Sequence, residues 1–170
     1  MILLVFLNEH DKQSHIMGRE LPSFLRGDYV KIFTRYKSNQ YEYCDVKNTL
    51  NKIREFAQVF DKVIVSFGLR LFPPEAYKTL VTECKNAKKS TVFLKELKGS
   101  KTWSIVNNKL SFDNKRIADT GLFIFKAEDL LNSKSNSFNS FLKELIKQDK
   151  LDYKFVSYWL FTSPKQRRVK

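Results

Sequence analysis

Three groups of residues in this 170-residue chain are of a type and spacing that could do chemistry. One is a single carboxylate, Asp119, set inside the apolar run Ile117 to Phe125. Among the acids it has the best claim to a catalytic role, against the plainer reading of a polar residue at a strand start. Another is a series of basic clusters: Lys85, Lys88 and Lys89, then Lys95, Lys98 and Lys101, then Lys115 and Arg116, then Lys165, Arg167, Arg168 and Lys170. Trp103 lies beside the second cluster, and cations next to an aromatic ring suit phosphate contacts with base stacking. The last is His10 and His15 with Glu9 and Asp11 nearby. Imidazoles and carboxylates can ligate a metal, but this spacing fits no helix face, so they read as solvated loop residues. Asp11 and Asp28 read as turn and cap residues. No Gly-x-Ser-x-Gly elbow, Walker loop or zinc pattern is present.

The elements that must position these groups follow from periodicity. Ile2 to Leu7 is continuously apolar, as a strand covered on two faces is. The stretch from Asn8 to Asp28 has no clear period and reads as a long loop. Tyr29 to Thr34 alternates and predicts a second strand. Asp45 can cap a helix over Val46 to Phe60, with Val46, Leu50, Ile53, Phe56, Ala57 and Phe60 inward and Lys47, Asn51, Arg54 and Glu55 outward. Lys62 to Phe67 is a Val/Ile-rich strand that Gly68 ends. Pro73 and Pro74 open a helix that closes near Ala87. Thr91 to Leu94 is a strand. Trp103 to Val106 and Leu110 to Phe112 flank Asn107-Asn108-Lys109 as a hairpin. Gly121 to Phe125 is a strand and Glu128 to Leu131 a short helix. Asn132 to Ser140 is Ser/Asn-rich and reads as a flexible loop. Phe141 to Ile146 is helical, and Phe155 to Leu160 is the last strand. Strand, helix, strand, helix and a strand-rich second half predict a three-layer α/β/α sandwich around a mostly parallel sheet.

Composition bounds the rest. Hydrophobic residues are 42% of the chain, with 15 Phe and 7 Tyr, enough for a core without metal or disulfide staples. No run reaches the roughly 18 apolar residues of a membrane span. Cys44 and Cys84 have no metal-like spacing and are expected as reduced thiols in a cytoplasmic protein. The net charge of +13 is uneven: residues 1–85 carry 13 Lys/Arg and 10 Asp/Glu, residues 86–170 carry 18 and 8. That asymmetry suggests an anionic partner met by the second half, beside the plainer reading of a solubilising surface.

Asp119-Thr120-Gly121-Leu122-Phe123-Ile124-Phe125 resembles the Asn/Asp-x-Gly-apolar-Tyr/Phe-apolar-Phe strand of sugar-phosphate nucleotidyltransferases. Glu128-Asp129-Leu130 follows it as a short helix does in that family. Ser157-Tyr158-Trp159-Leu160-Phe161-Thr162-Ser163-Pro164 is similar to the family's Gly-Tyr-Trp-x-Asp-apolar-Gly-Thr-Pro ending. Val63 to Gly68 resembles the strand that ends in the family's metal-binding Gly-Asp. The resemblance covers residues 60–168, and residues 1–35 only faintly. It implies the nucleotide-diphospho-sugar transferase fold and places Asp119 near the sugar or acceptor.

The departures bear on activity. The family's Gly-rich phosphate loop needs close, Cβ-free backbone approach. Here Leu7 leads into Asn8-Glu9-His10-Asp11-Lys12, with no glycine before Gly18. The family's two Mg²⁺-binding aspartates are replaced by Leu69 and by Leu160 or Phe161, and a hard cation needs carboxylate oxygens. The sequence therefore predicts one nucleotidyltransferase-like domain over residues 1–163 and a basic tail over 164–170. It is expected to bind an anionic partner, nucleic acid favoured, through Lys88, Lys89, Lys95, Lys98, Lys101, Trp103, Lys115, Arg116, Lys165, Arg167 and Arg168. No metal or cofactor is expected, and no membrane. The alternatives are an active sugar-phosphate nucleotidyltransferase with an atypical Mg²⁺ site and a subunit of a larger protein assembly.

Overall fold

The computed structural model describes residues 1–8, 29–68, 74–96, 103–112 and 117–155. Its elements, in chain order, are β1 (Ile2–Leu7), β2 (Tyr29–Thr34), β3 (Glu42–Tyr43), α1 (Thr49–Ala57), β4 (Lys62–Phe67), α2 (Pro74–Asn86) and β5 (Ser90–Glu96). The hairpin β6 (Ser104–Val106) and β7 (Lys109–Ser111) follows, then β8 (Ile117–Lys126), α3 (Ala127–Asn132), α4 (Phe138–Lys147) and β9 (Leu151–Phe155).

Seven strands form one sheet in the order β3-β2-β1-β4-β8-β5-β9. The pairs β1–β2, β1–β4, β2–β3 and β5–β9 are parallel. β8 runs antiparallel to both its neighbours, β4 and β5. β1 is apolar at every position, and β4 and β8 carry the apolar runs Val63 to Val65 and Leu122 to Phe125, because helices cover the two faces. Alternation sorts their side chains. Leu4, Phe6, Phe33, Val63, Val65, Phe123 and Phe125 join Leu50 and Ile53 of α1, Leu130 of α3, Phe141 and Leu145 of α4, and Trp103 of the hairpin segment. Leu3, Val5, Leu7, Ile64, Leu122 and Ile124 face Leu80 and Cys84 of α2. This is the expected α/β/α sandwich with a mostly parallel sheet.

Several expectations are corrected. Asp45 does not cap the helix itself. Its Oδ1 accepts from the Asn48 backbone N–H at 2.7 Å, which closes a turn, and α1 starts only at Thr49. Val46 is therefore 76% exposed instead of inward. Arg54, expected to point outward, donates to the carbonyls of Leu130, Ser133 and Ser135 at 3.0, 2.9 and 2.9 Å. Those bonds, with the Ser133 and Ser135 hydroxyls each donating to Glu144 at 2.6 Å, fix the segment read as a flexible loop. α4 begins inside that segment, with Ser137 accepting from the Ser140 N–H at 3.2 Å as its N-cap.

β9 is a strand the sequence analysis does not predict; the predicted Phe155–Leu160 lies, past Phe155, outside the described residues. A turn places β9. Asp149 has φ 56°, its N–H donates to Ile146 at 3.1 Å, and the Lys150 N–H donates to Leu145 at 2.8 Å. That is a Schellman closure of α4, and it releases the chain directly into β9. The hairpin turn is two residues, Asn107 (φ 52°) and Asn108 (φ 60°), with Lys109 already paired to Val106. Two successive left-handed residues make the twist-compatible turn that asparagines favour.

Candidate functional site

In open α/β sheets, ligands bind where parallel strands end, beyond their carboxyl edge. Here that edge is formed by Leu7-Asn8 of β1, Thr34-Arg35 after β2, Phe67-Gly68 of β4 and Lys95 of β5. Gly68 has φ 83°, which a glycine takes without strain. Its N–H donates to Phe6 at 2.7 Å, and its carbonyl accepts from the Ser66 hydroxyl at 3.2 Å. The chain thus turns out of β4 with its polar groups spent on one another, and the next residue is Leu69. Leu69 lies outside the described residues; by residue type it brings no anionic oxygen for a divalent cation such as Mg²⁺. Among the described residues, no group of three or more His, Cys, Asp or Glu is placed to hold a metal ion.

Because β8 is antiparallel, its first half lies at the same edge. Asp119 pairs by backbone with Leu94, and Ala118 with Lys95. The register shifts between Val92 and Leu94, and Gly121 in the opposing strand has φ 74°. A glycine is needed to bend β8 at that irregularity. Asp119 is thus carried to the carboxyl edge, one residue from the strand position that faces Lys95.

Arg35, which no pattern in the sequence singled out, also stands at this edge, but it faces inward. Nη1 donates to the Cys44 and Asp45 carbonyls at 2.6 and 2.5 Å, and Nη2 to the Thr49 hydroxyl at 2.5 Å. Its carbon Cζ lies 4.9 Å from the centre of the Phe6 ring. Burial pulls the guanidinium below its ordinary value, and the Cys44 thiol and Asp45 carboxylate oppose that pull. Burial likewise pushes the Cys44 thiol up. Arg35 is a clasp between β2 and the start of α1, and its charge is not offered to a ligand.

Among the described residues, the predicted cations Lys88, Lys89 and Lys95 do not form one patch. Lys88 and Lys89 precede β5, at the amino edge of the sheet, and Lys95 is near its carboxyl end. Six residue steps along the strand separate Lys89 from Lys95, about 20 Å at the usual rise. Lys88 is exposed, and Lys89 donates to Asp149 at 2.8 Å. Trp103 is corrected as a stacking platform: it is 0% exposed and packs edge-on against Phe112, with ring centres 4.7 Å apart. Lys98, Lys101, Lys115, Arg116, Lys165, Arg167 and Arg168 lie outside the described residues. So do His10, His15, Asp11, Asp28 and the Tyr158-Trp159-Leu160-Phe161 motif.

Two further cations missed by sequence reasoning are also spent internally. Arg54 holds the α3–α4 connection. The Lys62 ammonium donates to the carbonyls of Cys84, Lys85 and Ala87 at 2.7, 2.8 and 3.0 Å, where α2 ends. A cation on the last carbonyls of a helix satisfies orphan acceptors and the negative end of the dipole together. A lysine opening a strand, with a helix ending some twenty residues on, carries no sequence signal for that contact.

No protein-family model and no curated protein matches the chain. Solved structures do. A protein assigned as a glucose-1-phosphate thymidylyltransferase from Bacillus anthracis, solved in complex with a sucrose, superposes with a TM-score of 0.68 at 13% identity, over 98% of this chain and 93% of that one. HddC from Yersinia pseudotuberculosis superposes with a TM-score of 0.51 at 14% identity, over 91% of this chain and 69% of its own. At such identity the likeness speaks for the fold, and it agrees with the sheet order and layers described above: this chain is a domain of the nucleotide-sugar transferase fold.

Proposed function

We propose that the chain is a nucleotidyltransferase-fold domain that binds an anionic partner, nucleic acid foremost, and performs no nucleotidyl transfer. The observation that carries this reading is the end of β4. There Ser66 closes onto Gly68 and Leu69 follows, so the position that must supply a metal-binding carboxylate supplies hydrocarbon. The net charge of +13 supports an anionic partner. Lys95 supports the carboxyl edge as one contact region, since Lys98 and Lys101 follow it directly in sequence. Trp103 is dropped from the proposed contacts, and Lys89 is weakened as one by its ion pair.

Titration of a single-stranded oligonucleotide against salt tests the binding. With about five phosphates neutralised, affinity falls about a hundredfold between about 50 and 200 mM salt. Absent or salt-insensitive binding overturns the reading. A pyrophosphate-release assay with nucleoside triphosphates, sugar phosphates and Mg²⁺ or Mn²⁺ tests the second half. No turnover is expected, and turnover lost on Asp119→Ala would establish an enzyme instead.

A further inference from the structure

At the amino edge of the sheet, opposite the edge just described, a groove of about 480 Å³ runs between the hairpin turn, the end of α4 and the start of β9. Its volume is in the range of small-molecule sites, roughly 300–1,000 Å³. Leu110, Ile146, Leu151 and Tyr153 supply apolar surface, and Leu110 and Leu151 are buried members of the core. Two lysines from separate elements, Lys109 of β7 and Lys147 of α4, line it as well.

The charges in the groove are unequally committed. Asp149 is taken by Lys89 at 2.8 Å, and that bond first, with Lys109 adding to it, holds its carboxyl below the ordinary value. Asp152 accepts from the Tyr153 N–H at 2.8 Å. Lys109 and Lys147 form no ion pair among the described residues. Two ammonium groups that make no ion pair, beside one partly exposed aromatic ring in a mostly polar groove, are complementary to a compact dianion on a ring-sized body.

We propose that this groove binds a phosphate monoester with a small apolar or aromatic body, its phosphate between Lys109 and Lys147 and its body against Ile146 and Tyr153. The site is independent of the carboxyl edge, so its failure and the failure of nucleic-acid binding there are separate results.

Phenyl phosphate is the probe, titrated into isotope-labelled protein and followed by amide chemical shifts. Saturable movement confined to the amides of Asn108, Leu110, Leu151, Tyr153 and their neighbours is expected. Inorganic phosphate should bind several-fold more weakly, because it lacks the apolar body. The Lys109→Gln, Lys147→Gln double variant should lose about fivefold to tenfold in affinity, the effect of two solvent-facing ion pairs, with its unfolding midpoint unchanged. Shifts scattered over lysines elsewhere, such as Lys88 and Lys95, overturn the proposal. So does inorganic phosphate binding as tightly as phenyl phosphate, or a double variant that binds as well as the parent chain.

Discussion

Positive charge around the central sheet is used in two opposite ways. At the carboxyl edge Arg35 is folded back onto the Cys44 and Asp45 carbonyls, the Thr49 hydroxyl and the Phe6 ring. At the amino edge Lys62 caps α2, but Lys109 and Lys147 line a groove and make no ion pair among the described residues. Formal charge counts these residues alike. What differs is the coordination each already has, and that decides whether a cation stabilises the fold or remains open to a ligand.

This contrast predicts a separation of effects: inward cations control stability, open lysines control binding. Arg35→Ala should show it most strongly. It strips two carbonyls and a hydroxyl of their donor and should cost about 3 kcal/mol in urea unfolding. An unchanged midpoint would erase the distinction between inward and open cations. Asp129→Ala comes next. Asp129 is buried, accepts from the Ser90 hydroxyl at 2.7 Å and lies 3.6 Å from the Lys150 ammonium. Loss of about 2 kcal/mol is expected, since a buried hydroxyl loses its acceptor. Lys62→Met keeps the aliphatic stem and removes only the cap on α2. About 1 kcal/mol should go, with faster amide exchange at the end of that helix.

The smallest effect sharpens the comparison through pH. Hydrogen bonds from Ser133, then Ser135, hold the Glu144 carboxyl below its ordinary value of 4.5. A depressed carboxylate stabilises the fold above its unfolded value, and that stability is lost as pH falls through the folded value. Glu144→Gln should therefore lower the melting temperature slightly near neutral pH. The gap to the parent chain should close on acidification below about pH 4. A gap that widens in acid would mean the segment is held by something else.

Much of this architecture was legible because burial in one dimension leaves a periodic trace. β1, β4 and β8 announce themselves as apolar runs, Pro74 marks the start of α2, and Asn107-Asn108 marks the hairpin. The Asp-Thr-Gly resemblance put Asp119 near a sugar or acceptor, and only the topology shows its backbone at the carboxyl edge. The rest depends on partners distant in sequence. Arg54 reaches carbonyls 76 to 81 residues away, and nothing in its own helix separates that contact from a solvated arginine. The Ser/Asn segment was read by composition, which reports what serines usually do and not that Glu144 accepts from two of them. Trp103 was read from its lysine neighbours, although large aromatic rings gain most from burial.

One strand has a consequence for how the molecule is made. β8 is the single bridge between the block β3-β2-β1-β4 and the pair β5-β9. Val63 waits for Phe125, and Thr91 for Ile124, so during synthesis β4 and β5 remain unmatched on these sides until residues 117–126 have emerged, and β5 stays open on its other side until β9 follows. Nascent chains halted before Ile117 would present one border of β4 and both borders of β5 unpaired at once, which makes this the interval of greatest exposure to self-association.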